Sequence, residues 1–266
     1  MHLHRRILAA SILAAGMALA MPAFGADAAL TAAIASSHRA PENKARDGAR
    51  HPEASLAFWG LRPGQTVVEI SPGGGYWSEI LAPYAKATGG HYIAANGRGD
   101  QKLPPRFADA AVYGPIRYTV FSKDSGPLGP ANSADLVLTA RNIHNWVGDG
   151  SVDKAMKDFY AVLKPGGILA IEEHRSDPKP EAAKANTGYM STEHVIGLAT
   201  KAGFKLEARS EINANPKDTK DHPFGVWTLL PVRRSAEQGD DPKFDHSKYD
   251  AIGESDRMTL RFRKPA

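Results

Sequence analysis

The sequence contains no cysteine among its 266 residues. A disulfide framework, a thiolate metal site and a cysteine nucleophile are therefore excluded, and the fold must depend on its hydrophobic core. The formal net charge is only +4, which is too small to favour a nucleic-acid partner. Internal repeats, heptads and a second long apolar segment are also missing from the sequence. The composition leaves one α/β domain as the expectation.

The N-terminus carries the pattern of a secretory signal. Arg5 and Arg6 precede an apolar run at 7–21, and small residues follow up to Gly25. This order predicts a signal peptide over 1–25 that is cleaved after Gly25. A membrane anchor is the alternative, but the run is shorter than the roughly 20 residues that a spanning helix needs. The mature protein is expected to be periplasmic or secreted, with no integral membrane segment after cleavage.

Residues 26–58 are predicted to form an N-terminal tail and helix ahead of a single domain at 59–266. The helix is expected to begin at Pro52 and to stop at Gly60, because proline suits a first helical turn and glycine a helix end. Arg50 and His51 precede it. They are either part of a solvated charged loop or candidates for a binding site.

A glycine-rich loop organises the first part of this domain. An apolar run at 67–70 contains Glu69, and the loop Ser71-Pro72-Gly73-Gly74-Gly75 separates it from an amphipathic stretch. The order predicts strand, tight loop and helix, with room for a ligand at the turn. A dinucleotide fingerprint fits poorly, because its third glycine would fall at Ser78 and its acid should follow the glycines.

The acid before the loop supports a different resemblance. The spacing Glu69-x-Ser71-x-Gly73-x-Gly75 resembles the Asp/Glu-x-Gly-x-Gly-x-Gly motif of class I S-adenosylmethionine-dependent methyltransferases, from which it departs at Ser71. A glycine-rich turn in another α/β domain is the alternative. The segment 163–167, Leu-Lys-Pro-Gly-Gly before an apolar strand, is a second resemblance. Most of the mature chain resembles a family of predicted exported bacterial methyltransferases, through further segments at 46–52, 141–146, 221–222 and 253–257.

The hydrophobic pattern supplies the remaining strands. Strands are predicted at 67–70, 91–95, 116–120, 134–139, 168–171, 205–212 and 257–263. The resemblance implies an α/β fold, namely a Rossmann-like class I methyltransferase sheet of seven strands with the last one antiparallel and helices on both faces. An insert at about 213–256 is expected to form a lid or loop over the substrate.

The resemblance also implies a set of cofactor-binding residues. Asn96 takes the place of the acid that holds the ribose hydroxyls, and it lacks that acid's charge. Asp124 matches the residue that meets the adenine, with a turn-forming aspartate as the alternative. The expected S-adenosyl-L-methionine site comprises Glu69, Ser71, Gly73, Gly74, Gly75, Asn96, Asp124 and Arg141.

Polar residues follow the fourth predicted strand, at the side of a sheet where ligands bind. Histidine ordinarily titrates near pH 6.5, so His144 can accept a proton from an acceptor substrate. Asn142 can orient that substrate, and Trp146 can stack on it. His174 is a second proton carrier or a metal ligand. Its spacing to other ligands matches no recognisable metal site, and no metal is predicted.

These features predict a methyltransferase that uses S-adenosylmethionine on an unidentified small acceptor. Asp221, His222 and Trp227 of the insert are expected to reach that acceptor. The alternative is an exported protein that binds a small molecule on a degenerate methyltransferase scaffold without catalysis. A third possibility, an oxidoreductase linked to NAD, is disfavoured by the misplaced acid.

Overall fold

A computed structural model describes residues 27–97, 103–176 and 185–266. The predicted signal peptide at 1–25 lies outside these residues. One sheet forms the centre of the molecule. Its strands are β1 (Thr66–Ile70), β2 (His91–Asn96), β3 (Arg117–Val120), β4 (Ala134–Ala140), β5 (Leu163–His174), β6 (Lys205–Ser210) and β7 (Arg257–Arg263).

The strand order is β3-β2-β1-β4-β5-β7-β6. The strands from β3 to β5 are parallel, whereas β7 pairs antiparallel with both β5 and β6. The predicted seven-stranded sheet with an antiparallel last strand is therefore confirmed. The chain leaves β1 towards one edge and later returns to β4 on its other side, where Ile70 pairs with Thr139. Such a reversal leaves a crevice at the carboxyl ends of the two strands.

Ten α-helices are described. They are α1 (Ala28–Ala35), α2 (Pro41–Lys44), α3 (Asp47–Arg50), α4 (Pro52–Phe58), α5 (Ser78–Thr88), α6 (Ala110–Tyr113), α7 (Ile143–Gly148), α8 (Val152–Val162), α9 (Thr192–Lys201) and α10 (Ser247–Ile252). Short 3₁₀ turns lie at Pro105–Ala108, Ala185–Thr187 and Gly225–Thr228. Among the described residues, no helix has both the length and the apolar character needed to span a membrane.

The sheet is covered on both faces, as predicted for its apolar strands. Neighbouring residues of one strand point to opposite faces, so Val67 packs with α1, α4 and α5 while Val68 packs with α8 and α9. Both side chains are almost completely buried. This double burial explains why the central strands are continuous apolar runs.

Two elements beside the crevice differ from the sequence prediction. Strand β5 runs from Leu163 to His174, because Leu163 already pairs with Ala134 and β7 continues the pairing up to His174. The polar segment after β4, for which no helix was predicted, is a short helix, α7. Both changes bring polar residues into regular structure at the edge of the crevice.

The insert at 213–256 contains little regular structure. The buried carboxylate of Asp218 anchors it through hydrogen bonds. Asp218 accepts hydrogen bonds from the hydroxyl of Tyr189 at 2.9 Å and from the backbone N–H of Asp256 at 2.7 Å. His222 lies 2.8 Å from the same carboxylate. The insert is thereby fixed to the end of the sheet next to the crevice.

Candidate active site

A cavity of about 270 Å³ occupies the crevice at the carboxyl ends of β1 and β4. Its walls come from the glycine loop, from Arg141 and α7 after β4, and from the end of β5. Helices α2 and α3 close one side, and the segment 226–232 of the insert closes another. Residues far apart in the sequence therefore meet here, where open α/β sheets bind their ligands.

The glycine loop contributes open backbone to the wall. A Cβ atom added to Gly73 or Gly74 would meet no atom within 4 Å, whereas one added to Gly75 would lie 2.5 Å from Phe107. The first two glycines thus leave space beside the cavity, and the third is required by packing. Ser71 takes a positive φ of 50°, which glycine adopts more easily. The departure at Ser71 therefore keeps the loop conformation at the cost of some strain.

Glu69 lines the cavity, but its carboxylate is 3% exposed and already has protein partners. It accepts hydrogen bonds from the hydroxyl groups of Ser78 at 2.8 Å and Tyr92 at 2.6 Å. Burial raises the pKa of Glu69 to about 7, against the opposing effect of these two hydrogen bonds. Its first role is to join β1 to α5 and β2.

His144, Glu173 and His174 form a group that we call the histidine cluster. The Glu173 carboxylate accepts hydrogen bonds from the backbone N–H groups of Ile143 at 2.6 Å and His144 at 3.2 Å. It also accepts from the backbone N–H of His174 at 2.8 Å and lies 3.0 Å from Nδ1 of His144. Because a carboxylate only accepts hydrogen bonds, Nδ1 carries a hydrogen, and in the neutral ring Nε2 of His144 is then the proton acceptor.

His174 lies beside this pair, with its ring centroid 5.5 Å from that of His144. Its Nδ1 is 2.5 Å from the hydroxyl oxygen of Ser255. Burial and the nearby Arg141 guanidinium hold the pKa of His174 well below its usual value, so the ring is neutral. Ligand atoms of His144, Glu173 and His174 lie within 4.8 Å of one another. The hydrogen bonds of Glu173 and the neighbouring guanidinium groups disfavour a divalent cation between them.

Asn142 fixes the ends of two strands. Its amide nitrogen donates to the carbonyl oxygens of Ile70 at 3.2 Å and Ala140 at 3.1 Å. The side chain therefore joins β1 to β4 beneath the cavity that it lines. This contact holds the glycine loop and α7 at a constant separation.

A second group, which we call the arginine cluster, lies beside the histidine cluster, where Arg141 and Arg257 adjoin His174. It consists of Arg46, Arg50, Arg141, Arg257, Glu172 and Glu254. Glu254 accepts hydrogen bonds from Arg46 at 2.6 Å, from Arg50 at 3.1 Å and from Arg257 at 2.9 Å. Burial would raise the pKa of Glu254, but these guanidinium groups lower it to about 2. Glu172 pairs with Arg257 at 2.8 Å.

Asp124 lines a neighbouring cavity of about 330 Å³ instead of the first one. Phe121, Trp146 and Gly97 also line this second cavity, and Ser71 borders both. Trp146 packs edge-on against Phe121 with ring centroids 5.1 Å apart. The two cavities adjoin at Ser71, and Asp124 lies in the one that does not contain His144.

The structure brings most of the predicted site residues together. The residues that line the first cavity are Glu69, Ser71, Gly73, Gly74, Arg141, Asn142, His144 and His174. Gly75 and Asn96 line neither cavity. Asn96 is buried at the end of β2, where its carbonyl oxygen accepts the backbone N–H of Phe121 at 2.7 Å.

The other site candidates from the sequence also divide into residues that line the first cavity and residues that do not. Arg50 and Trp227 line the first cavity, and the rings of Trp227 and His144 lie 5.8 Å apart. His51 instead lies 3.3 Å from the side-chain oxygen of Asn213. His222 is buried against Asp218, and neither it nor Asp221 lines the cavity.

Sequence reasoning missed the roles of Glu173, Arg46 and Glu254. An acidic pair at 172–173 inside an otherwise apolar strand was a usable signal for Glu173, since buried acids need partners. Arg46 and Arg50 are four residues apart, a spacing that places two side chains on one face of a helix. Their partner Glu254 is 204 positions after Arg50, and no local pattern connects the two.

No family model matches the chain. The chain is 29% identical over 136 residues to the ubiquinone/menaquinone biosynthesis C-methyltransferase UbiE of Hydrogenovibrio crunogenus, a match that covers 51% of this chain and 52% of that protein. The protein of the same name from Vibrio cholerae is 30% identical over 118 residues, or 43% of each chain. The chain thus spans about half the length of the curated relatives it matches.

Two solved structures resemble a large part of the fold. The [4+2]-cyclase SpnF matches with a TM-score of 0.57 and 16% identity, over 87% of this chain and 85% of that one. An S-adenosylmethionine-dependent methyltransferase from Aquifex aeolicus matches with a TM-score of 0.52 and 20% identity, over 65% of this chain and 89% of that one. The chain has the Rossmann-like fold of class I methyltransferases.

Proposed function

We propose that this protein transfers a methyl group from S-adenosyl-L-methionine to a small acceptor molecule. The proposal rests chiefly on one observation: the glycine loop after β1 and His144 after β4 border the same cavity. The curated relatives are C-methyltransferases by name, and their similarity supports the same class of reaction. Because the match covers about half of those proteins, their substrates are not transferred to this chain.

The residues around Ser71 suit the proposed methyl donor. Backbone at Gly73 and Gly74 leaves open space along the wall, and the second cavity continues past Ser71 to Asp124. Gly73, Gly74 and Ser71 would hold the central part of the donor, with Asp124 near its adenine. When bound, S-adenosylmethionine supplies an electrophilic methyl group. Asn96 lines neither cavity, and as an asparagine it offers no carboxylate to the ribose.

His144 is the proposed base for the acceptor. Glu173 holds the hydrogen on Nδ1. Nε2 can therefore accept a proton from the nucleophilic atom of the acceptor as that atom attacks the methyl group. The backbone hydrogen bonds to Glu173 fix the start of α7 and therefore the position of the ring. Trp227 packs edge-on against the ring and limits its rotation. Orientation of this kind provides much of the acceleration in group transfer.

Calorimetric titration of the chain from residue 26 onward tests this proposal. We expect S-adenosylhomocysteine and S-adenosylmethionine to bind with micromolar dissociation constants, and NAD to produce no binding heat. A Gly74→Val variant should lose this binding, because Gly74 does not have a positive φ and its new side chain would enter the open space beside the loop. The absence of binding heat with both sulfur compounds would instead support the alternative of a small-molecule-binding protein without catalysis.

We also propose that the mature chain acts outside the cytoplasm. The proposal rests on the sequence pattern of residues 1–25. Expression of the full chain followed by N-terminal sequencing of the periplasmic fraction tests it. A mature N-terminus at Ala26 is expected, and an intact chain that stays in the cytoplasmic fraction contradicts it.

A further inference from the structure

The arginine cluster carries more positive than negative charge. It contains four guanidinium groups and two carboxylates, and Arg46, Arg50 and Arg141 line the first cavity. Glu254 and Glu172 are the carboxylates that face these groups within the described parts of the chain. Asp47, the next acid along α3, is already paired with Arg39 at 2.6 Å. Two positive charges therefore lack a compensating carboxylate.

Several of these guanidinium nitrogens also lack a hydrogen-bond partner. Arg50 is completely buried, and its Nη1 and Nη2 atoms have no acceptor. The same is true of Nη2 of Arg46 and Nε of Arg141. Arg50 uses only its Nε, which binds Glu254, while its guanidinium lies 4.4 Å from the ring of Tyr76. A buried charged group without partners is costly, so such groups mark a place for a ligand.

Ionisation within the cluster agrees with this charge excess. Burial and repulsion by Arg141 lower the pKa of Arg50 to about 10, even though Glu254 opposes the shift. Burial and repulsion by Arg50 lower the pKa of Arg46 as well. An anion placed between these groups would remove the repulsion.

The proposed methyl donor supplies this compensation only in part. S-adenosylmethionine carries a sulfonium, an ammonium and one carboxylate, and so has a net charge of +1. Its carboxylate could pair with one guanidinium group, but the total positive charge of the site would still rise. A negative charge on the other substrate would supply the rest.

The part of the cavity wall that comes from the insert is apolar. Val226, Trp227, Leu230, Pro231 and Val232 line it, and Val232 is 57% exposed. An acceptor that touches both this wall and the arginine cluster would need an anionic group at one end and an apolar body next to it. Arg46 and Arg50 present planar donors that suit carboxylate or phosphate oxygens.

We propose that the methyl acceptor is a small organic anion, with a carboxylate or phosphate held by Arg46, Arg50 and Arg141 and an apolar body against the 226–232 segment. This inference rests on the proposed methyltransferase function, since it names the second substrate of the same cavity. The nucleophilic atom of the acceptor would then lie between the arginine cluster and Nε2 of His144.

Binding of matched probe compounds to the unaltered protein tests the inference without any mutation. Benzoate and phenyl phosphate carry the anionic group, and benzamide is the neutral analogue of benzoate. With S-adenosylhomocysteine present, we expect at least one anion to bind about tenfold or more tightly than benzamide, because charged hydrogen bonds are the stronger ones. The preferred anion identifies the acceptor as a carboxylate or a phosphate. Equal binding of all three compounds would overturn the proposal.

Variants locate the effect. Arg50→Gln should reduce the preference for the anion to about one, Arg50→Lys should retain part of it, and Arg117→Gln, which removes an exposed charge from β3, should leave it unchanged. Circular dichroism would establish that each variant is folded. The ligand comparison on the unaltered protein decides the question if Arg50→Gln does not fold.

Two further measurements separate this inference from the function on which it rests. If S-adenosylhomocysteine fails to bind while benzoate still binds more tightly than benzamide, the methyltransferase function is wrong and the anion site stands. If Arg50→Gln weakens S-adenosylhomocysteine about tenfold but leaves methylthioadenosine unchanged, the guanidinium groups hold the donor's own carboxylate. That result would overturn the proposed acceptor.

Discussion

The histidine cluster and the arginine cluster differ in how their buried charges are paired. In the histidine cluster, one carboxylate accepts hydrogen bonds from three backbone N–H groups and one imidazole, all within a few residues of α7 and β5. In the arginine cluster, two carboxylates face four guanidinium groups from segments distant in the sequence. The histidine cluster is complete without a ligand, and the arginine cluster has nitrogens with no partner.

This difference separates two tasks. A base must be held in one orientation before the substrate arrives, and Glu173 provides this through its local hydrogen bonds. A binding site for an anion needs hydrogen-bond donors that have no protein acceptor. The surrounding fold must then hold the positive charges together against their repulsion. Stability is therefore expected to be lost most easily in the arginine cluster.

The largest effect is expected from Glu254→Gln. The variant leaves Arg46, Arg50 and Arg257 without their shared carboxylate, and the loss should be about 3–5 kcal/mol of unfolding free energy at pH 7. The folded pKa of about 2 lies below the ordinary 4.5, so this stabilisation is present above pH 4.5 and is lost as the pH falls towards 2. Urea unfolding at pH 7 and pH 3 measures it, with Glu237→Gln at an exposed position as the control. An equal loss at both pH values would contradict the account.

Glu69 should show the opposite pH dependence. Its folded pKa of about 7 lies above the ordinary 4.5, so its contribution is present below pH 4.5 and is lost as the pH rises through 7. Between pH 4 and pH 9, the stability of Glu69→Gln relative to the unaltered protein should improve by about 3 kcal/mol. Urea unfolding across this range provides the measurement. A constant difference would mean that burial does not raise the pKa of Glu69.

Glu173→Gln should lower the free energy of unfolding by about 2–3 kcal/mol, because the NH₂ group of the new glutamine must face N–H donors. The more specific result concerns His144. Nitrogen NMR should find the hydrogen on Nδ1 in the unaltered protein and a mixture of the two neutral tautomers in the variant. Glu193→Gln, at an exposed position on α9, is the matched control. A tautomer that stays the same in Glu173→Gln would show that Glu173 does not orient the ring.

The smallest effect is expected at the junction of the two cavities. Ser71→Gly removes the strain of a positive φ and should stabilise the protein by about 1 kcal/mol. Thermal unfolding measures this change. A loss of stability would show that the hydroxyl of Ser71 makes a contact that outweighs the strain.

Much of the fold was predictable because its signals are local. The apolar runs and their turns located all seven strands, and the acid before the glycine loop indicated the correct fold class. The long β5 was not predictable from its own sequence, because its extension depends on pairing with β7. Helix α7 was missed for a related reason, since its first N–H groups bind Glu173 on another element.

The site was predictable only in part. His144 and the glycines lie at strand ends, where topology alone brings them together. Glu254 meets Arg50 across 204 positions, and Asp124 lies in a different cavity from His144. Such contacts are set by tertiary packing, which a single sequence does not encode in any short pattern.

A crystal structure of the chain with S-adenosylhomocysteine tests the central claim most directly. We expect density for the compound to run from the cavity of Asp124, past Ser71 and Gly73, into the cavity of His144. The sulfur should point towards Nε2 of His144, with the guanidinium groups of Arg46 and Arg50 free for a second ligand. Density at any other place on the molecule, or none at saturating concentration, would contradict the account.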